Sequence, residues 1–171
     1  SSPACVAGVM ILTGSVLAND AQRSALLAVL QRHGLELSMH GTGAPIPATY
    51  WGEPEAGLRG NQVHARADTP LHSLLHETCH AICMDDMRRQ RLNRDAGGDD
   101  LEECAVCFLQ LVIADQIPGI GWRSVACDMD AWGYSFRAGS TASWFLTDAN
   151  DAQQWLIDHR VLSLMTSELS A

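Results

Sequence analysis

The sequence predicts an α+β domain: a small mixed or antiparallel sheet packed on a helix carrying His76, Glu77 and His80 and on a buried second helix, with a mostly helical C-terminal part. Three observations lead there. Short stretches of period-two alternation lie in the first 70 residues, two long helical patterns occupy the middle, and shorter helical patterns follow. With no internal repeat and no linker, the 171 residues read as one domain, long enough to bury a core without staples.

Taken in order, the apolar, β-branched stretch 6–13 reads as a buried strand ended by Gly14. Asp20 is placed to cap a helix over 21–32, with Ala25, Leu26, Val29 and Leu30 as its apolar stripe and Gly34 as its stop. Leu35, Leu37 and Met39 alternate with Glu36, Ser38 and His40, the pattern of a half-buried strand. Five Gly and three Pro over 41–60 predict a loop, and the alternation returns over 61–68. Thr69-Pro70 reads as a capping hydroxyl followed by Pro at the first helical position, opening a helix that continues to about Arg89. After a polar loop over 90–98, Asp99 or Asp100 caps a helix over 101–116 that is apolar nearly all round and therefore central. Pro118-Gly119 halts it, and further helical patterns cover 140–145 and 149–160.

Composition excludes several function classes. Apolar residues are 47% and charged residues 18%, the profile of a folded globular chain. Eleven basic against 20 acidic residues give a formal charge of -9, which disfavours nucleic acid and anionic lipid as partners. No apolar run approaches the roughly 20 residues that cross a bilayer. Of the six cysteines, Cys79, Cys83, Cys104 and Cys107 fall in apolar helical segments and read as buried thiols; with Cys5 and Cys127 they suit a reducing, cytoplasmic compartment. The apolar N-terminus has no basic flank and does not read as a signal peptide, although a chain opening on Ser1 leaves room for a removed leader.

The chemistry concentrates in the two central helices. Residues four apart share a helix face, with Cβ atoms about 6 Å apart. His76 and His80 can thus offer two imidazole nitrogens to one ion at the ~2.0–2.1 Å that zinc prefers. Glu77 falls beside such an ion, placed to accept a proton from activated water and pass it to a leaving amine. A catalytic zinc takes a third protein ligand. Glu102 and Glu103, entering an otherwise apolar helix, are the candidates, because a carboxylate there needs a partner. The helix dipole alone would also favour both.

The segment His-Glu-Thr-Cys-His, followed some twenty residues later by Glu-Glu-Cys-Ala-Val-Cys-Phe, resembles the gluzincin metallopeptidases, in particular the compact ImmA/IrrE-like type. The resemblance covers about a third of the chain, 61–114. It implies a zincin-like domain, a Zn²⁺ cofactor, a peptide or protein substrate, Glu77 as catalytic base and His76 and His80 as ligands. Its second helix carries a ligand Glu three residues before a small residue, which Glu102 and Ala105 fit, and Phe108 fits a following aromatic. The polar residue that often follows the Ala is Val106 here, which leaves Glu102 and Glu103 both open. The resemblance also places the strand over 61–67 at a sheet edge, where an extended peptide can pair.

Other residues were weighed against plainer roles. His72, one turn before His76, lines the cleft or backs a ligand, or is a surface histidine. Tyr134, Arg137 and His159 are candidate oxyanion donors. Asp128 and Asp130 can orient a ligand histidine or cap a helix. The four helical cysteines fit core thiols better than a four-thiolate zinc site, which favours tight turns. The five Trp are core or cleft lining. The expected function is zinc-dependent peptide hydrolysis. The alternatives are a catalytically silent zinc-containing binding or regulatory module of the same fold and a thiol-based redox sensor.

Overall fold

The computed structural model describes residues 20–91 and 99–162; the strand expected over 6–13 lies outside them. The described residues form an α+β fold of seven helices and one three-stranded mixed sheet. Helix α1 (Asp20–Arg32) buries Leu26, Val29 and Leu30 and leads into β1 (Glu36–His40). Strand β2 (Gly57–Arg59) and β3 (Gln62–Arg66) follow, then α2 (Leu71–Cys83), α3 (Asp86–Arg91) and α4 (Asp100–Asp115). Helices α5 (Trp122–Trp132), α6 (Thr141–Thr147) and α7 (Asn150–Asp158) complete the described chain.

The sheet order is β1-β3-β2, with β1 parallel and β2 antiparallel to β3. Strand β3 is therefore central, and the expectation of an edge strand open to a peptide is overturned. Its free side is taken by β2, which arises inside the Gly- and Pro-rich stretch expected to be all loop. Gly57 makes this compact: a side chain there would collide with the Pro47 carbonyl, where Thr49 bridges to Gly57.

Helix α4 is the centre of the molecule. Its residues from Ala105 to Ala114 are all buried, and it packs against α2, α5 and α7. Asp99 caps it by accepting the Glu102 backbone N–H at 2.8 Å. Helix α2 packs on α4, β2, β3 and α5. It is shorter than its periodicity suggests. Thr69 does not cap it; its hydroxyl accepts the Arg66 N–H at 2.8 Å and closes the turn out of β3. The expected single helix to Arg89 breaks at Met84, which is extended. Asp85 then accepts the Arg88 N–H at 2.7 Å and starts α3. Two acidic residues in succession repel the negative end of α2 but suit the positive start of a new helix. Buried Arg89 reaches back from α3 to the carbonyl of Ala81 in α2 and to that of His33 just after α1, at 2.9 and 3.0 Å, tying α3 to both helix ends.

Helix α5 was not placed from sequence. It ends at Gly133, whose φ of 105° suits glycine. The Tyr134 N–H then donates to the Met129 carbonyl at 3.0 Å, turning the chain so that Trp132 and Tyr134 both enter one cleft. Asp130 accepts the Thr141 N–H and hydroxyl at 2.8 and 2.6 Å. It pins α6 to α5 and orients no histidine, while Asp128 is buried in α5. Among the described residues, no helix is long and apolar enough to cross a membrane.

Candidate metal centre and cleft

On α2, His76 and His80 project from one face toward α4, and Glu103 on α4 faces them. His80 Nε2 stands 3.1 Å from Glu103 Oε1, His76 Nε2 3.8 Å from Glu103 Oε2, and the two Nε2 atoms 3.1 Å apart. Atoms arranged tetrahedrally around one ion at ~2.0–2.1 Å lie about 3.3 Å from one another. The three groups therefore fit a single metal ion, and they are the group of metal-capable side chains found among the described residues.

Glu102, the candidate that fits the spacing of the resemblance, turns the other way. Its carboxylate accepts both arms of the Arg88 guanidinium, at 2.8 and 3.3 Å. Neighbours on a helix point about 100° apart. Once Glu103 faces the histidines, Glu102 must face elsewhere, and α3 supplies the cation that a buried carboxylate requires.

The electrostatics mark a site that seeks positive charge. Burial and the adjacent His80 lower the pKa of His76 to about 4, so its imidazole is neutral. Burial opposes charge on His80 as well, but the Glu103 hydrogen bond and the carboxylates of Glu103, Glu77 and Glu102 outweigh it and raise its pKa. Glu103 is lowered: burial works against its charge, and His80 and His76 overcome this. His80 and Glu103 thus favour each other's charged form across a 3.1 Å contact.

A residue that the sequence reading missed sets the geometry. Gln110, fully buried on α4, donates its amide N–H to the His72 carbonyl at 2.9 Å. Its orientation is thereby fixed, and Oε1 accepts the His76 Nδ1–H at 2.8 Å. The proton on Nδ1 leaves Nε2 as a bare lone pair, the form that binds metal. The signal was present: Gln110 is the single polar residue between Ala105 and Ala114, seven after Glu103 on the same face.

His76 and Glu103 open on a cleft of about 560 Å³. Glu77 lines it beside His76 and Glu103, with Trp51, Trp132 and Tyr134 as aromatic walls. Tyr134 stands edge-on to His76, ring centres 5.8 Å apart, and burial holds its hydroxyl protonated. His72 is wholly buried rather than on the surface. It lies against Tyr134, with Nδ1 3.4 Å from the hydroxyl, and against the Trp132 ring. Burial and His76 push its pKa down to about 4.

Two candidates are not brought to the site. His159 stacks on Trp155 at 3.7 Å, beside a second hollow that Arg88 and Glu102 also line. Arg137 is exposed and forms a two-armed ion pair with Asp148, both contacts 2.6 Å. The four helical cysteines are free and do not converge. Burial raises Cys79 and Cys107 far above the usual thiol range and pushes Cys83 up to about 12, so they are inert core thiols. Cys127 is disulfide-bonded, so the cysteine pattern does not carry the reducing compartment expected. Comparison with protein-family models, curated proteins and solved structures finds no match.

Proposed function

We propose that this protein is a zinc-dependent metallopeptidase of gluzincin type, with His76, His80 and Glu103 as the metal ligands and Glu77 as the catalytic base. The observation that carries this reading is the convergence of the two Nε2 atoms and the Glu103 carboxylate on one point, with Glu77 in the same cleft. A small sheet packed on the metal-binding helix, with a buried second helix behind it, is the architecture that this class would require. The ligand is Glu103 rather than Glu102, so the residue three positions on is Val106 instead of Ala105. The resemblance to the compact ImmA/IrrE-like type is looser by that much.

Two imidazoles and one carboxylate suit zinc, leaving a fourth position open. The ion, when bound, supplies Lewis acidity that brings the pKa of water near 7. Glu77 takes the proton of the attacking water and returns it to the leaving nitrogen. Tyr134, kept neutral by burial, offers its hydroxyl to the oxyanion that forms at the carbonyl. The substrate is a peptide or protein segment; the acidic chain argues against nucleic acid, and lipid is not required by anything in the cleft.

The test is hydrolysis of a mixed peptide library by zinc-loaded protein. Cleavage should stop with chelator and return with zinc, and Glu77→Gln should cut turnover by roughly 10²–10⁴-fold while zinc stays bound. A variant that loses neither activity nor metal contradicts the role of Glu77. A wild type that binds zinc and cleaves nothing points to a silent binding module instead.

A further inference from the structure

The cleft holds a carboxylate that the proposed chemistry does not use. Glu55 lines it together with His76, Glu77 and Trp132, and is 8% exposed. Its Oε1 accepts the indole N–H of Trp132 at 2.6 Å, while its Oε2 has no hydrogen-bond partner among the described residues. The backbone on its C-terminal side is fixed: the Ala56 N–H donates to Ser73 Oγ at 3.0 Å. Ser73 is one turn before Glu77 on the same face of α2 and lines the same cleft. Glu55 is thereby held close to the reacting end.

The other acidic residues of the cleft are engaged. Glu53 accepts Arg66 at 2.8 Å and the Ile46 N–H at 3.1 Å, Glu103 faces the histidines, and Glu77 is the base. Among the described residues, no arginine lines the cleft, and the chain contains no lysine. A carboxylate this buried requires a cation or a second donor, and the described residues supply neither. Burial accordingly raises the pKa of Glu55, opposed by the Trp132 hydrogen bond alone. Trp132, whose indole N–H holds Oε1, is 42% exposed and lines the cleft, where an organic cation can rest against the ring.

We propose that Glu55 is the recognition carboxylate of this cleft and binds a positively charged group of the substrate against the Trp132 ring. The group is an ammonium or guanidinium, carried either by a lysine or arginine side chain or by a free peptide N-terminus. The inference rests on the peptidase reading of the same cleft and gives it a substrate class, cationic peptides.

Three hydroxamates, titrated calorimetrically into zinc-loaded protein, test it: norleucine hydroxamate carries only the α-ammonium, Nα-acetyl-lysine hydroxamate only the side-chain cation, and Nα-acetyl-norleucine hydroxamate neither. One of the two charged probes should bind at least about tenfold more tightly than the neutral one, and which one identifies the source of the cation. In Glu55→Gln, with one zinc still bound, that ratio should fall toward one. Equal affinity for all three in the wild type, or a ratio that survives in Glu55→Gln, overturns the role of Glu55 and leaves the zinc reading standing. If the zinc-loaded protein binds no hydroxamate, the peptidase reading fails and this inference fails with it.

Discussion

The helix pair α2–α4 and the cleft rim built from the 41–56 segment and the end of α5 meet at the same site, yet they are made by different physics. The helix pair is periodic. Its candidate ligands His76 and His80 lie at a fixed helical interval, its interior is apolar, and one buried amide, Gln110, holds the His76 ring. The rim is irregular. It is held by single contacts such as Ala56 to Ser73, Trp132 to Glu55 and the Gly133 turn that brings in Tyr134. In the proposed function, chemistry falls to the helix pair and recognition to the irregular rim.

His72 stands where the two regions touch, and the largest effect is expected there. Its folded pKa of about 4 lies below the ordinary 6.5, because burial disfavours the charged ring. Between those values the unfolded chain binds a proton that the folded chain refuses. Stability should be full above about pH 6.5 and fall as the pH drops toward 4, by on the order of 3 kcal/mol. His72→Phe should make this acid limb shallower in urea unfolding measured against pH, the remainder coming from His76, which is lowered likewise. An unchanged slope would show that the junction is not sealed from water.

Next in size is the lock inside the helix pair. Gln110→Leu should keep the apolar core but release the His76 ring, weakening zinc binding by about 10–100-fold in competition with a chelating dye. Unaltered affinity would mean that the α2 spacing alone positions the ligand. Smaller still is the neighbouring ion pair. Glu102→Gln should cost roughly 1 kcal/mol of stability, since Arg88 is 40% exposed and water replaces much of the contact. Thiol titration gives the last contrast. Among the described residues, Cys79, Cys83, Cys104 and Cys107 should react after unfolding without reductant, and in the folded protein Cys104, the partly exposed one, should react first.

The legibility of the sequence follows the same division. The convergence of His76 and His80 could be read because helix geometry turns a four-residue spacing into a shared face. The centrality of α4 could be read because a helix apolar all round has nowhere else to sit. The Glu102–Glu103 choice could not, since one residue of helix phase depends on where α4 docks, and Arg88 arrives only because α2 breaks at Met84. Strand β2 was hidden in a Gly- and Pro-rich stretch, where Gly57 serves a close backbone approach rather than a turn. The resemblance placed β3 at an edge, and β2 occupies that side instead. Glu55, Trp132 and Tyr134 carry no periodic signal; their meeting depends on a glycine turn and on contacts far apart in sequence.

The central claim is that Glu103, and not its neighbour, completes a zinc site with His76 and His80. Zinc content and affinity, measured by elemental analysis and chelator competition for wild type, Glu103→Gln and Glu102→Gln, test it directly. The account predicts one zinc per chain in the wild type, the same in Glu102→Gln, and a loss of at least about tenfold in affinity in Glu103→Gln. A Glu103→Gln protein that binds zinc as the wild type does, or a wild type that binds none, would contradict it.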